Sequence, residues 1–148
     1  LMALFTGPVA VGPDGTVAVA DEGGVLQRIG LDGNMETQAE IRVRTLHFGT
    51  DGTLFVGRSD GIVRALPADG GDARGANAHG GVIVALASAG DTLFSAGRDR
   101  KLIRWRLGDG APVVEETWIL PVPVQSLAIR DRMLIYGDAA GAMGRWDF

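Results

Sequence analysis

An Asp-centred turn returns four times along this chain, and its spacing constrains the fold more than any other feature. Asp14, Asp51, Asp91 and Asp131 occupy the same slot in successive segments, at intervals of 37, 40 and 40. The strings around the first three are near copies: GPDGTVAVA at 12–20, GTDGTLFVG at 49–57 and AGDTLFSAG at 89–97. A second marker, Asp32-Gly33, Asp69-Gly70 and Asp109-Gly110, keeps the same intervals of 37 and 40. Two independent markers with one period of about 40 residues describe a stacked supersecondary unit.

Each unit reads as short strand, Asp turn, short strand, Gly turn, short strand. Unit one is VAV, TVAVA and GVLQRIGL; unit two is TLHF, TLFVG and GIVRAL. Unit three is VIVALA, TLFSA and KLIRWRL; unit four is QSLAI, RMLIYG and AMGRWDF. The segments are β-branched or apolar and none carries a stripe at helical spacing. Continuous apolar runs such as VIVALA suit strands buried on both faces. Outer strands are expected in METQAEIRV at 35–43 and APVVEETWIL at 111–120. The small, polar stretch PADGGDARGANA at 67–78 predicts a frayed or missing fourth strand in unit two. Up to four antiparallel strands per unit of this length make an all-β chain, a β-propeller of four blades. The blades are expected at 9–43, 44–78, 79–120 and 121–148, the last joined by 1–6, with no domain boundary between them.

Composition narrows the partners. The formal charge of −4 disfavours strong attachment to nucleic acid or to an anionic membrane surface. Cationic charge is almost all arginine, Lys101 being the sole lysine. Without cysteine the chain can form neither disulfides nor thiolate metal sites, which suits a reducing compartment; a cytoplasmic location is the expectation. No apolar run reaches the roughly 18 residues of a membrane helix. The opening LMALFTGPVAVG lacks the positive region of a signal peptide, and it starts at Leu1 as in a chain processed, tagged or excised from something longer. Twenty-three glycines fall in short turn clusters, as many tight turns between strands require.

Unit three, HGGVIVALASAGDTLFSAGRDRKLIRW from His79 to Trp105, resembles the WD-repeat family of β-propellers. That family places a His before the innermost strand, a Ser or Thr in the second, an Asp in the next turn and a Trp in the third. Here the slots hold His79, Ser95, Asp99 and Trp105, with Ser95 ten and Asp99 six residues before the Trp. The resemblance implies that these four form a structural hydrogen-bonded chain tying the outer loop to the blade. A buried indole N–H and a buried imidazole both need partners. Unit four keeps Trp146-Asp147, but Tyr136 and Ala140 stand in the other slots. Unit two has Asp60 in the turn and Ala65 or Leu66 where the Trp belongs; unit one has neither. Period and turns cover the whole chain, whereas the four-residue pattern covers one blade.

His79, Ser95 and Asp99 are also the residue types of a hydrolase triad. The blade network accounts for all three, Trp105 completes it, and no G-x-S-x-G elbow is present. No catalytic residue is therefore assigned. His47 stands alone after Leu46, and two histidines without cysteine do not make a common zinc site. The Asp-Gly pairs lack the clustered spacing of a calcium loop and read as turns. No metal and no cofactor are expected. Arg98, Arg100, Lys101, Arg104 and Arg106 are the basic concentration. Strand alternation over 101–107 puts Lys101, Ile103 and Trp105 on one face and Leu102, Arg104 and Arg106 on the other, so the charges are split. They read as solvated arginines beside acidic residues of neighbouring loops. Arg98 precedes the turn Asp; in the family this slot points to the face where partners bind. Its equivalents are Ser59, Glu22 and Ala139, which makes these four the candidate partner contacts.

The function expected is a non-catalytic protein-interaction scaffold. The alternative is a ligand-binding or catalytic propeller whose site lies in the central channel, with Asp or Arg side chains from several blades. Four blades also pose a geometric problem, since an open arc leaves two bare apolar faces. The expected solution is a twofold homodimer completing an eight-blade ring, LMALF adding the outer strand missing from unit four. A self-closed four-blade monomer and a fragment completed by a different chain are the competitors.

Overall fold

A computed structural model describes residues 7–38 and 40–148. Among them there is no helix, and fifteen strands form four antiparallel sheets in chain order. The chain is an all-β propeller of four blades. Blade one holds β1 (Val9–Val11), β2 (Val17–Ala20), β3 (Leu26–Ile29) and β4 (Met35–Thr37). Blade two holds β5 (Val43–Phe48), β6 (Leu54–Arg58), β7 (Ile62–Leu66) and β8 (Arg74–Asn77). Blade three holds β9 (Ile83–Ala89), β10 (Thr92–Gly97), β11 (Lys101–Arg106) and β12 (Val113–Ile119). Blade four holds β13 (Val124–Arg130), β14 (Met133–Asp138) and β15 (Met143–Asp147). In each sheet the strands lie side by side in sequence order, the simplest up-and-down meander.

The recurring aspartates make the turns, by two geometries. In blades one and two, Asp14 and Asp51 each accept the amide and hydroxyl of the Thr two residues on, at 2.9 Å. The intervening Gly15 and Gly52 sit at φ 85° and 84°, a left-handed conformation open to glycine at little cost. Blades three and four reach the next strand through only two residues. The left-handed position is then Gly90 in one and Asp131 itself in the other, at φ 58° and 57°. Asp tolerates this conformation better than most side chains.

Three apolar seams join the four blades. Ala18, Ala20 and Leu26 of blade one pack with Val43, Leu46, Leu54 and Val56 of blade two. Phe55 and Val63 meet Ile83, Leu86, Leu93 and Trp105 in the next seam. Ala85, Phe94, Ala96 and Leu102 meet Val124, Leu127, Leu134 and Trp146 in the third. Among the described residues no fourth cluster joins blade four back to blade one.

Two expectations about outer strands are corrected. The stretch 67–78 does contain a fourth strand, β8, paired with β7 from Ile62↔Asn77 to Ala65↔Arg74. An outermost strand is held by backbone ladder bonds, so it needs little apolar surface of its own. Ala76 alone turns into the seam, and Gly75 lets the Arg64 side chain lie across the strand. METQAEIRV is not one strand: β4 ends at Thr37, Gln38 and Glu40 keep backbone bonds to Leu26, and Val43 opens the innermost strand of blade two. The LMALF strand lies outside the described residues.

Candidate functional site

The four signature residues of blade three meet in one buried chain. Asp99 sits in the β10–β11 turn, where its carboxylate accepts the amides of Gly80 at 2.8 Å and Lys101 at 3.2 Å. His79 Nδ1 lies 3.0 Å from the same carboxylate, so Nδ1 carries the proton and donates it. His79 Nε2 then accepts from the Ser95 hydroxyl at 2.7 Å. Ser95 Oγ in turn accepts the Trp105 indole N–H at 2.8 Å. Ser95 and Trp105 are fully buried and His79 nearly so. Gly97 makes room, because a Cβ there would lie 2.5 Å from His79 Nδ1 and 2.6 Å from Asp99 Oδ1. Burial holds the His79 imidazole below its usual range, outweighing the pull of Asp99, and so keeps it neutral. Burial pushes Asp99 up, but the hydrogen bonds from His79, Gly80 and Lys101 win and hold it below the carboxylate norm.

Blade two builds an ionic counterpart that the sequence reading missed. Glu40 precedes His79 by the same offset, one repeat, as Asp60 precedes Asp99. Glu40 is buried and accepts Arg64 Nε at 2.9 Å, with Arg58 3.7 Å away. Arg58 also grips Asp60 through two nitrogens at 3.1 and 2.6 Å, and that hydrogen bonding lowers the Asp60 carboxyl. The substitution is coherent. Arg58, in the slot of Gly97, reaches Asp60 and Glu40, which stand in the slots of Asp99 and His79, while Val56 and Leu66, in the slots of Ser95 and Trp105, need no polar partner. The usable signal was the one-repeat offset read on Glu40. In blade four Asp138 caps the amides of Ala140 and Ala142, both at 2.9 Å, and Trp146 packs on Trp118 with ring centres 4.1 Å apart.

Two other readings need correction. His47 is not alone: its Nε2 lies 2.8 Å from Ser88 Oγ and accepts the Ser88 amide at 3.1 Å, stitching blade two to blade three. The acids beside the arginines lie on the outer strand β12 and not in loops. Arg104 pairs with Glu115 at 3.3 Å and with Glu116 at 3.8 Å, and Arg106 with Glu115 at 3.8 Å.

Three of the four candidate partner contacts occupy one structural position. The amides of Ser59, Arg98 and Ala139 donate to Arg42, Val82 and Pro123, each at 2.9 Å, pinning the turn over the start of the innermost strand. A β-bulge accompanies this bond in blades two, three and four. Among the described residues of blade one there is no such bulge; there Ala20 donates to Pro8, and the exposed Glu22 sits further into the β2–β3 turn. Arg98 and Ala139, both exposed, line one concavity of about 540 Å³ with Val84, Pro123, Val124 and Gln125. Ser59 and Glu22 are not part of it.

No protein-family model and no curated protein matches the sequence. Solved structures do. The computationally designed Ika4 protein is similar at a TM-score of 0.83 with 19% identity, over 99% of this chain and 92% of that one. A chain of the mitotic checkpoint complex is similar at 0.86 with 20% identity, over 99% of this chain but 49% of that one. The WD40 repeats of RRP9 are similar at 0.78 with 15% identity, over 99% of this chain and 52% of that one. The chain thus spans nearly all of the designed protein and about half the length of the other two. At these identities the likeness concerns the fold.

Proposed function

We propose that this chain is a non-catalytic interaction scaffold of the WD-repeat propeller type, presenting the turn face around Arg98, Ala139 and Ser59 to a protein partner. One observation carries the proposal. The serine, histidine and aspartate that would make a hydrolase are consumed inside the blade, with Ser95 Oγ fully buried between His79 and an indole N–H. No substrate reaches that oxygen without opening the seam. Turn acids elsewhere are likewise bound to their own turns, as Asp51 is to Thr53. The net charge of −4 supports a protein partner over nucleic acid. The cysteine-free composition supports a cytoplasmic setting. The proposal includes a twofold homodimer that makes an eight-blade ring, supported by the absence of a fourth seam among the described residues and by the half-length match to larger chains.

The test has two arms. Ester, phosphoester and peptide substrates should show no turnover that depends on Ser95; activity abolished by Ser95→Ala in a folded protein would overturn the reading. A protein partner retained by the wild type should be lost on Arg98→Glu, with the circular dichroism spectrum unchanged.

A further inference from the structure

We infer that one defined seam closes the ring: the outward face of blade four, carrying Ile135, Gly137 and Met143, receives the outward face of blade one of a second copy, carrying Val9, Val11 and Ile29. The inference rests on the scaffold reading above and specifies its assembly.

The repeat supplies the argument, because strand register makes positions comparable from blade to blade. Met143 pairs with Gly137, as Leu102 does with Ala96, Val63 with Gly57 and Leu26 with Ala20. Leu26, Val63 and Leu102 are each 0% exposed beneath the next blade; Met143 is 81% exposed. The opposite face repeats the pattern. Val9 pairs with Val19, as Leu46 does with Val56 and Leu86 with Ser95. Leu46 and Leu86 are 9% and 7% exposed against the preceding blade, and Val9 is 64% exposed. In every existing seam the two kinds of residue share a cluster: Leu26 with Leu46, Val63 with Leu86, Leu102 with Leu127. The unmade member of the series joins Met143 to Val9.

Shape agrees with register. A concavity of about 510 Å³ lies on blade four, with Ser126, Ala128, Ile135, Gly137 and Met143 in its lining. In blade two the space over Gly57 is filled by the next blade, since a Cβ there would lie 2.7 Å from Ile83 Cγ2. A Cβ on Gly137 would meet only Ser126 of its own sheet. Burying the two faces supplies the drive. The seam is heterologous, so a twofold axis along the channel makes it twice and closes the ring after two copies.

The experiment uses the full chain, with its mass measured by light scattering and analytical ultracentrifugation. Wild type should run at twice the chain mass of 15.5 kDa. Met143→Glu and Val9→Lys should each weaken the dimer at least about 100-fold, since each buries an unpaired charge at both seams. Both residues face solvent in the single chain, so each variant should keep its circular dichroism spectrum. Mixing the two variants should restore a dimer, because one seam then pairs Glu with Lys and the other is native. A dimer that survives both substitutions, or variants whose mixture stays monomeric, would overturn this seam while leaving dimerisation standing. A wild-type mass of 15.5 kDa would overturn the assembly itself and leave the scaffold reading untouched.

Discussion

Replacing Trp105 tests whether the blade-three chain is structural, and the coordinates set the size of the effect. The indole is fully buried in the seam with Phe55, Val63, Ile83, Leu86, Leu93 and Ile103. Trp105→Ala should therefore cost about 3–5 kcal/mol, the range for deleting a buried large aromatic. That is a large part of the roughly 5–15 kcal/mol that holds a domain together. Trp105→Phe separates the terms. It keeps most of the packing and removes the N–H, so about 1–2 kcal/mol is expected. Ser95→Ala should cost more, about 2–5 kcal/mol, because it strips partners from both His79 Nε2 and Trp105 Nε1 in a dry site. The double variant should then fall short of additivity by at least about 0.5 kcal/mol, since Ser95→Ala no longer orphans an indole N–H. Urea midpoints followed by far-UV circular dichroism, at one protomer concentration, measure all four. Additive costs, or a Trp105→Ala loss under about 1 kcal/mol, would refute the connected network.

Acid should weaken the fold in two stages. Burial holds His47 and His79 below their ordinary value of 6.5, so the unfolded chain binds protons there that the folded chain refuses. Their contribution is complete above pH 6.5 and is lost as pH falls through the folded values; Asp99, held below 3.8, adds a further loss in stronger acid. A urea midpoint that does not fall between pH 8 and pH 5 would contradict this. In blade two, Glu40→Gln should cost about 1–3 kcal/mol by weakening the grip on Arg64 and Arg58, whose partial exposure limits the loss. Glu36→Gln, on the exposed strand β4, should leave the thermal midpoint within a degree or two and serves as the control.

Local chemistry was legible in the sequence because a repeat multiplies weak signals. Asp-Gly turns and short apolar runs at one spacing dictate four similar sheets, each needing a neighbour. The slots of His79, Ser95, Asp99 and Trp105 came from the resemblance of unit three to the WD-repeat pattern, which was readable because every partner lies between His79 and Trp105 themselves. What spacing did not reveal depended on contacts between blades or on backbone pairing. Strand β8 looked too polar to form, yet ladder bonds to β7 hold it whatever its side chains. Glu40 carried no reading of its own in the sequence; its offset from His79 marked the slot, but the folding of blade two is what sets it between Arg58 and Arg64. His47 found Ser88 in the next blade, a separation no local pattern spans. The exposure of Val9 and Met143 belongs to the same class. Composition gives both an apolar side chain, but only the stacking of three blades, and the absence of a fourth seam among the described residues, shows which apolar positions remain uncovered.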